Sequence, residues 1–193
     1  MEAILVYCGA NPGTKPIYKE TAEQLGKKLA EKNIRLIYGG GSLGLMGIVA
    51  DSVLANNGHV TGIIPHFLDR MEVGHKNLPE MYKVETMHER KALMEKLCDG
   101  IITLPGGYGS MDELFEILSW SQLGLHQKPI GILNVNGFYD NLLKQLDVMV
   151  EEGFLKPENR KLLLVADNLD ELFSKMEAFK PNYQEKWLNR EQI

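Results

Sequence analysis

Cysteine is scarce in this 193-residue chain: Cys8 and Cys98 are the only two, with no C-x-x-C spacing and no clustering with histidine. That excludes a disulfide scaffold and a cysteine-based zinc site, and it fits a reducing compartment. His59, His66, His75, His88 and His126 show no helical metal spacing, so no metal site is expected. No apolar run approaches the ~20 residues that span a bilayer. The start, with Glu2 ahead of a short apolar run, lacks the basic opening and the length of a signal peptide. The expectation is a cytoplasmic protein with no membrane partner. Positive charge is also short: 21 Lys and Arg against 26 Asp and Glu leave a net charge of −5. A general nucleic-acid binder needs a basic surface and is excluded, whereas one basic pocket for a small anion is not. Neither glycine-rich loop is followed by Lys-Ser or Lys-Thr, which removes the P-loop NTPases. Repeats, low-complexity tracts and linkers are lacking, so residues 1–193 read as one domain with a sizeable core.

What is present is alternation. Apolar runs predict strands at Ala3–Tyr7, Leu36–Tyr38, His59–Pro65, Ile101–Leu104, Pro129–Val135 and Leu162–Val165. Helical spacing fills the gaps at Pro16–Lys32, from the Gly39–Gly47 loop to about Asn57, and at Met87–Cys98, Ser110–Leu123, Phe138–Glu151 and Leu169–Ala178. Residues 66–83 read as an irregular excursion, Lys83–Thr86 as a short strand, and Pro181–Ile193 as a terminal helix docked by aromatics. Uniformly apolar strands alternating with helices indicate a doubly wound, Rossmann-like α/β domain with a mostly parallel sheet flanked by helices. Such sheets bind ligands beyond the carboxyl ends of their strands.

The chain is organised around Gly100–Glu113. A buried strand runs into Pro105-Gly106-Gly107, which continues neither strand nor helix, and a helix follows. Such a turn aims bare N–H groups and a helix N-terminus at one point, which suits a phosphate. Asp112 and Glu113 lie beside it. Ser110-x-x-Glu113 also fits a capping box, and spacing alone favours that structural use over a catalytic Glu113; Asp112 fits a charge that complements the helix dipole. Gly39-Gly40-Gly41-Ser42-Leu43-Gly44 matches G-x-G-x-x-G, but nothing between Asp51 and Asp69 is acidic, so an NAD(P)-dependent oxidoreductase is poorly supported. Nucleotide contact by Gly40, Gly41 and Ser42 stands level with mere close packing. Arg90 and Lys91 are cations near a helix start, where the dipole disfavours them, so an anionic partner would explain them, although a solvated face is the commoner reading for charged residues on a helix. The crossover that carries this helix should bring Arg90 near Glu113. Asn11 and Thr14 follow the first strand on the same edge.

Met87-x-x-Arg90-Lys91 followed by Pro105-Gly106-Gly107-Tyr108-Gly109-Ser110-Met111-Asp112-Glu113 resembles the signature of the LOG family, the cytokinin riboside 5′-monophosphate phosphoribohydrolases, often labelled "possible lysine decarboxylase". The Gly39–Gly47 loop, Trp120–Gly124 and the run from Lys128 to Gly137 also look like family segments. Ser110 stands where the family usually has Thr, and Asp112 where it commonly has Glu. The resemblance implies hydrolysis of the N-glycosidic bond of an adenine-type nucleoside 5′-monophosphate, with no metal or organic cofactor. It implies Arg90 and Glu113 as the catalytic pair. Its substrate-binding set is Glu72, Arg90, Lys91, Gly106, Gly107, Tyr108, Gly109, Ser110, Met111, Asp112, Glu113 and Ser119. It also implies a homodimer with sites near the interface. A non-catalytic nucleotide sensor on the same fold is the alternative; the joint presence of Arg90 and Glu113 favours the enzyme.

Overall fold

β1 (Ala3–Tyr7) is buried along its whole length and sits in the middle of a seven-stranded parallel sheet. The computed structural model describes residues 1–71 and 74–180. The sheet order is β4-β3-β2-β1-β5-β6-β7, with β2 at Arg35–Tyr38, β3 at Val60–Pro65, β4 at Glu80–Val84, β5 at Gly100–Thr103, β6 at Ile130–Leu133 and β7 at Leu163–Ala166. β1 is paired on both sides, Leu5 lying opposite Ile37 of β2 and Ile101 of β5. Alternate side chains of β1 enter two cores. Ile4 and Val6 pack with Leu25 and Leu29 of α1 (Pro16–Glu31), with Val49 and Val53 of α2 (Gly44–Ala55) and with Leu172 and Phe173 of α8 (Leu169–Ala178). Ala3, Leu5 and Tyr7 pack with Met94 of α4 (Met87–Lys96), with Leu114 and Ile117 of α5 (Tyr108–Leu123) and with Leu146 of α6 (Asp140–Glu151). Two covered faces explain why the central strands read as unbroken apolar runs.

From β1 the chain steps outward to β2, β3 and β4, then α4 crosses the sheet to β5 on the other side of β1. The loops after β1 and β5 therefore leave in opposite directions and open a crevice at the carboxyl edge. Because α4 follows an edge strand that ends at this border, its N-terminus starts beside the crevice. Thr86 caps it, accepting the Glu89 N–H at 3.1 Å, while the Glu89 carboxylate accepts the Glu85 N–H at 2.9 Å. This is a capping arrangement of the Thr-x-x-Glu kind.

Four local expectations differ from what is found. The fourth strand is Glu80–Val84, not Lys83–Thr86. As an edge strand it is only half-buried, and its pairing with β3 begins where Thr61 lies opposite Glu80, the Thr61 hydroxyl donating to that carboxylate at 2.5 Å. The excursion after β3 begins with a short helix, α3 (His66–Arg70), and another, α7 (Pro157–Arg160), follows α6. α6 starts at Asp140, because Val135–Gly137 forms a 3₁₀ turn in which Asn136 has φ of 53°. α5 starts at Tyr108, two residues ahead of Ser110. The expected terminal helix at 181–193 lies outside the described residues.

Candidate active site

At the crevice lies a cleft of about 560 Å³. The loop after β1 (Cys8–Gly13) forms its floor, the turn after β5 (Pro105–Gly107) and the first turn of α5 one wall, and Leu45, Met46, Leu68, Tyr18 and Phe138 an apolar rim. Arg90 and Glu113 enter from the α4 and α5 side. The floor is tied into both neighbouring loops: Gly9 N–H donates to Pro105 O at 3.0 Å and Leu45 N–H to Gly9 O at 3.0 Å. A methyl group on Gly106 would lie 2.1 Å from Ser110 Oγ and 3.0 Å from Gly9 N, so the turn passes where only glycine fits.

Gly107 is the N-cap of α5 and supplies no side-chain cap. Ser110 is therefore the third helical residue and Glu113 lies a turn deeper, so the Ser110–Glu113 capping box does not form. The first-turn N–H groups of α5 are left without a side-chain acceptor at the cleft wall, the geometry that binds an oxyanion. Ser110, 4% exposed, stands among them.

Glu113 meets Arg90 instead. Nη1 of Arg90 donates to Glu113 Oε1 at 3.2 Å, Nε to Ile63 O at 3.2 Å, and Nη2 to Gly39 O at 3.3 Å. Two backbone carbonyls and one carboxylate hold the guanidinium in one orientation, and Arg90 and Glu113 are 8% and 9% exposed. A methyl on Gly39 would lie 1.8 Å from Nη2, so the absent side chain there makes room for the arginine. Burial pushes the Glu113 carboxyl up to about 7; the positive charges of Arg90 and Lys91 oppose this, while Asp112 and Glu116 add to it. Near neutrality the group can therefore both hold and release a proton.

Of the residues the sequence singled out, Arg90, Gly106, Gly107, Tyr108, Gly109, Ser110 and Glu113 come together in the cleft, with Asn11 in its floor. Lys91 does not line it. Its ammonium sits 2.7 Å from Asp112 and 3.3 Å from Glu116, bracing α4 against α5; burial alone would lower its pKa, and the two carboxylates reverse that and raise it. Met111, Asp112 and Thr14 are likewise not among the lining residues. Ser119 is exposed on the outer side of α5, its hydroxyl bonded to Phe115 O at 2.7 Å. Gly40, Gly41 and Ser42 do not line the cleft; Gly40 O accepts the His75 N–H at 2.9 Å and Gly41 bridges to Gly74. Glu72 lies outside the described residues. The sequence does not single out the rim residues Tyr18, Met46, Leu68 and Phe138, nor Glu116, which pairs with Lys91 beside the cleft lining; Glu116 carries a signal, since it lies one turn after Asp112 and Glu113 on the same helix. Among the described residues no group of three or more metal-binding side chains gathers anywhere, and no helix is long and apolar enough to cross a membrane.

The family described as possible lysine decarboxylase matches residues 46–176. The cytokinin riboside 5′-monophosphate phosphoribohydrolase LOG7 of Arabidopsis thaliana is 46% identical over 94% of this chain and 84% of its own length. The enzyme of that activity named LOG in Oryza sativa subsp. japonica is 46% identical over 94% of this chain and 75% of its own. The chain belongs to the LOG family. The LOG fold seen here extends to more distant solved structures: a molybdenum cofactor binding protein from Rippkaea orientalis (TM-score 0.69, 18% identity, 92% of this chain and 97% of that one) and the molybdenum cofactor carrier protein of Chlamydomonas reinhardtii (TM-score 0.67, 16% identity, 91% and 95%). At those identities the likeness is one of architecture.

Proposed function

We propose that the chain is a nucleoside 5′-monophosphate phosphoribohydrolase. It takes an adenine-type nucleotide, AMP or an N6-modified AMP such as a cytokinin riboside 5′-monophosphate, and yields the free base and ribose 5-phosphate. The observation that carries this reading is the buried Arg90–Glu113 pair, 3.2 Å apart, in the same cleft as the uncapped N-terminus of α5. The α5 amides, Ser110 and the Gly106–Gly109 turn take the 5′-phosphate and hold the nucleotide in the cleft. The C1′–N bond breaks as positive charge builds on the ribose ring; water attacks C1′ and gives its proton to a base, and the leaving purine takes a proton from solvent. Glu113 in its ionised form stabilises that charge and receives the water's proton. Arg90 fixes the carboxylate and opposes the effect of burial, so that an ionised fraction persists at neutral pH. A lysine Schiff base of the kind the family's decarboxylase label suggests has no partner here, because no lysine lines the cleft among the described residues.

The assignment extends to a homodimer with sites near the interface, acting in the cytoplasm. The apolar outer face of α5 and α6 supports the first, and two buried free thiols the second. The sensor alternative has no observation in its favour.

The deciding experiment is product analysis with AMP and N6-prenylated AMP as competing substrates, on wild type and Glu113→Gln. Wild type should release base and ribose 5-phosphate; the variant should fold and lose turnover by about 10²–10⁴-fold. A variant with near-normal turnover sinks the role of Glu113, and a wild type that binds AMP without releasing base makes the chain a sensor.

A further inference from the structure

The turn that forms the anion cradle has no polar side chain of its own, since it is Pro105, Gly106 and Gly107. Its shape rests on what holds its backbone. Two of those bonds are ladder-like: Leu104 N–H to Tyr7 O at 2.9 Å and Gly9 N–H to Pro105 O at 3.0 Å. The third is of another kind. The Tyr139 hydroxyl, from the loop after β6, donates to Leu104 O at 2.7 Å. Tyr139 is 2% exposed, and its ring meets the cleft residue Phe138 edge-on, with centroids 4.8 Å apart at 89°. Asn134, at the end of β6, fixes it from behind: Oδ1 accepts the Tyr139 N–H and Nδ2 donates to Asp140, both at 2.8 Å. The segment Lys128–Gly137, which resembles a family segment but contributes no lining residue, thus leads into a strut that ends under the cradle. Burial pushes the Tyr139 phenol up, so it remains a donor across the working range of pH.

We propose that Tyr139 is a positioning residue for phosphate recognition: through the Leu104 carbonyl it sets the turn so that the first amides of α5 converge on the 5′-phosphate. The inference rests on the phosphoribohydrolase reading above. Removing the hydroxyl leaves a carbonyl in the interior short of its bond, and the turn next to it can relax. That loss falls on the phosphate end of the cleft and not on the base or on Glu113, so it belongs in KM and not in kcat.

The test is calorimetric titration of wild type, Tyr139→Phe and Asn134→Ala with ribose 5-phosphate and, separately, with adenine, alongside steady-state kinetics on AMP. In Tyr139→Phe the ribose 5-phosphate Kd and the AMP KM should rise together by about tenfold, with kcat within about twofold and the adenine Kd unmoved. Asn134→Ala, which keeps the hydroxyl but frees the residue behind it, should show the same phosphate-selective loss in smaller measure, and it carries the test should Tyr139→Phe not fold. An unchanged ribose 5-phosphate Kd, or equal losses for ribose 5-phosphate and adenine, overturns the proposal while leaving the enzyme reading intact. A wild type that binds neither AMP nor ribose 5-phosphate overturns both.

Discussion

Glu113 keeps a carboxyl where water is nearly excluded, and a single guanidinium does not fully offset that. Its folded value of about 7 against an ordinary 4.5 has a sign that can be tested. Between those two values the native chain holds a proton that the unfolded chain has released, so stability falls as pH rises through the window, by about 3 kcal/mol at most. Glu113→Gln removes that linkage. Urea unfolding at pH 5 and pH 8 should show wild type losing stability relative to the variant as pH rises, and a difference that stays constant would mean that the carboxyl is not held up by burial. Activity runs the opposite way. If the ionised form works, kcat/KM climbs with pH and levels off above about 7, tracking the same group. The role of Glu113 is also what local sequence encodes least. Ser110-x-x-Glu113 satisfied a capping pattern, and only the true helix start at Tyr108 moved Glu113 a turn deeper, onto Arg90. The same pattern was real at Thr86-x-x-Glu89, just before Arg90.

The N-terminus of α5 separates two uses of glycine that look alike in the sequence. Gly106 is packed against Ser110 Oγ and Gly9 N, whereas a methyl on Gly109 meets nothing within 4 Å. Gly106→Ala should therefore force the turn and the loop after β1 apart, costing about 1–3 kcal/mol of stability. Gly109→Ala should fold at least as well as wild type, since alanine suits a helix better by up to about 1 kcal/mol. Its methyl stands in the cleft, so ribose 5-phosphate binding should weaken while the melting temperature holds or rises. A Gly109→Ala variant that binds as wild type does would move the phosphate away from this turn. The strands were legible because β1, β5 and β6 bury both faces, and an apolar run of that length has few other uses. β4 begins three residues before the sequence suggests, because an edge strand keeps polar residues such as Glu80 and Lys83. The Gly39–Gly44 loop is only partly legible in the sequence. Its glycines do serve close packing, but what packs on Gly39 is the Arg90 guanidinium from 51 positions away, a contact that no local pattern encodes.

At the scale of the whole molecule, the reversal of strand order beside β1 fixes where the cleft must be, and α5 connects that cleft to the outside. Its inner side carries Ser110 and Glu113; its outer side carries Phe115, 36% exposed, Ser119 and Leu123, 38% exposed. Between α5, α6 and α7, Phe115 and Ser119 border a hollow of about 170 Å³ walled by Leu118, Leu146, Met149 and Leu155; Phe154, next to Leu155 in the chain, is 88% exposed. An apolar face of this kind on one rigid helix suits a second copy of the chain, which would bury it as a two-fold contact. Such a dimer also reconciles the position of Ser119. It does not line its own cleft, yet the resemblance assigns it to substrate, so that assignment requires it to act on the other subunit's site. Phe115→Glu puts a charge in the middle of that contact and leaves the sheet untouched. Sedimentation equilibrium should find wild type dimeric and the variant's dimer constant weaker by at least about thirtyfold, the loss of one aromatic anchor. Base release should fall in step with the monomer fraction. If the variant stays dimeric with full activity, the interface lies on another face, and Ser119 has no route to substrate.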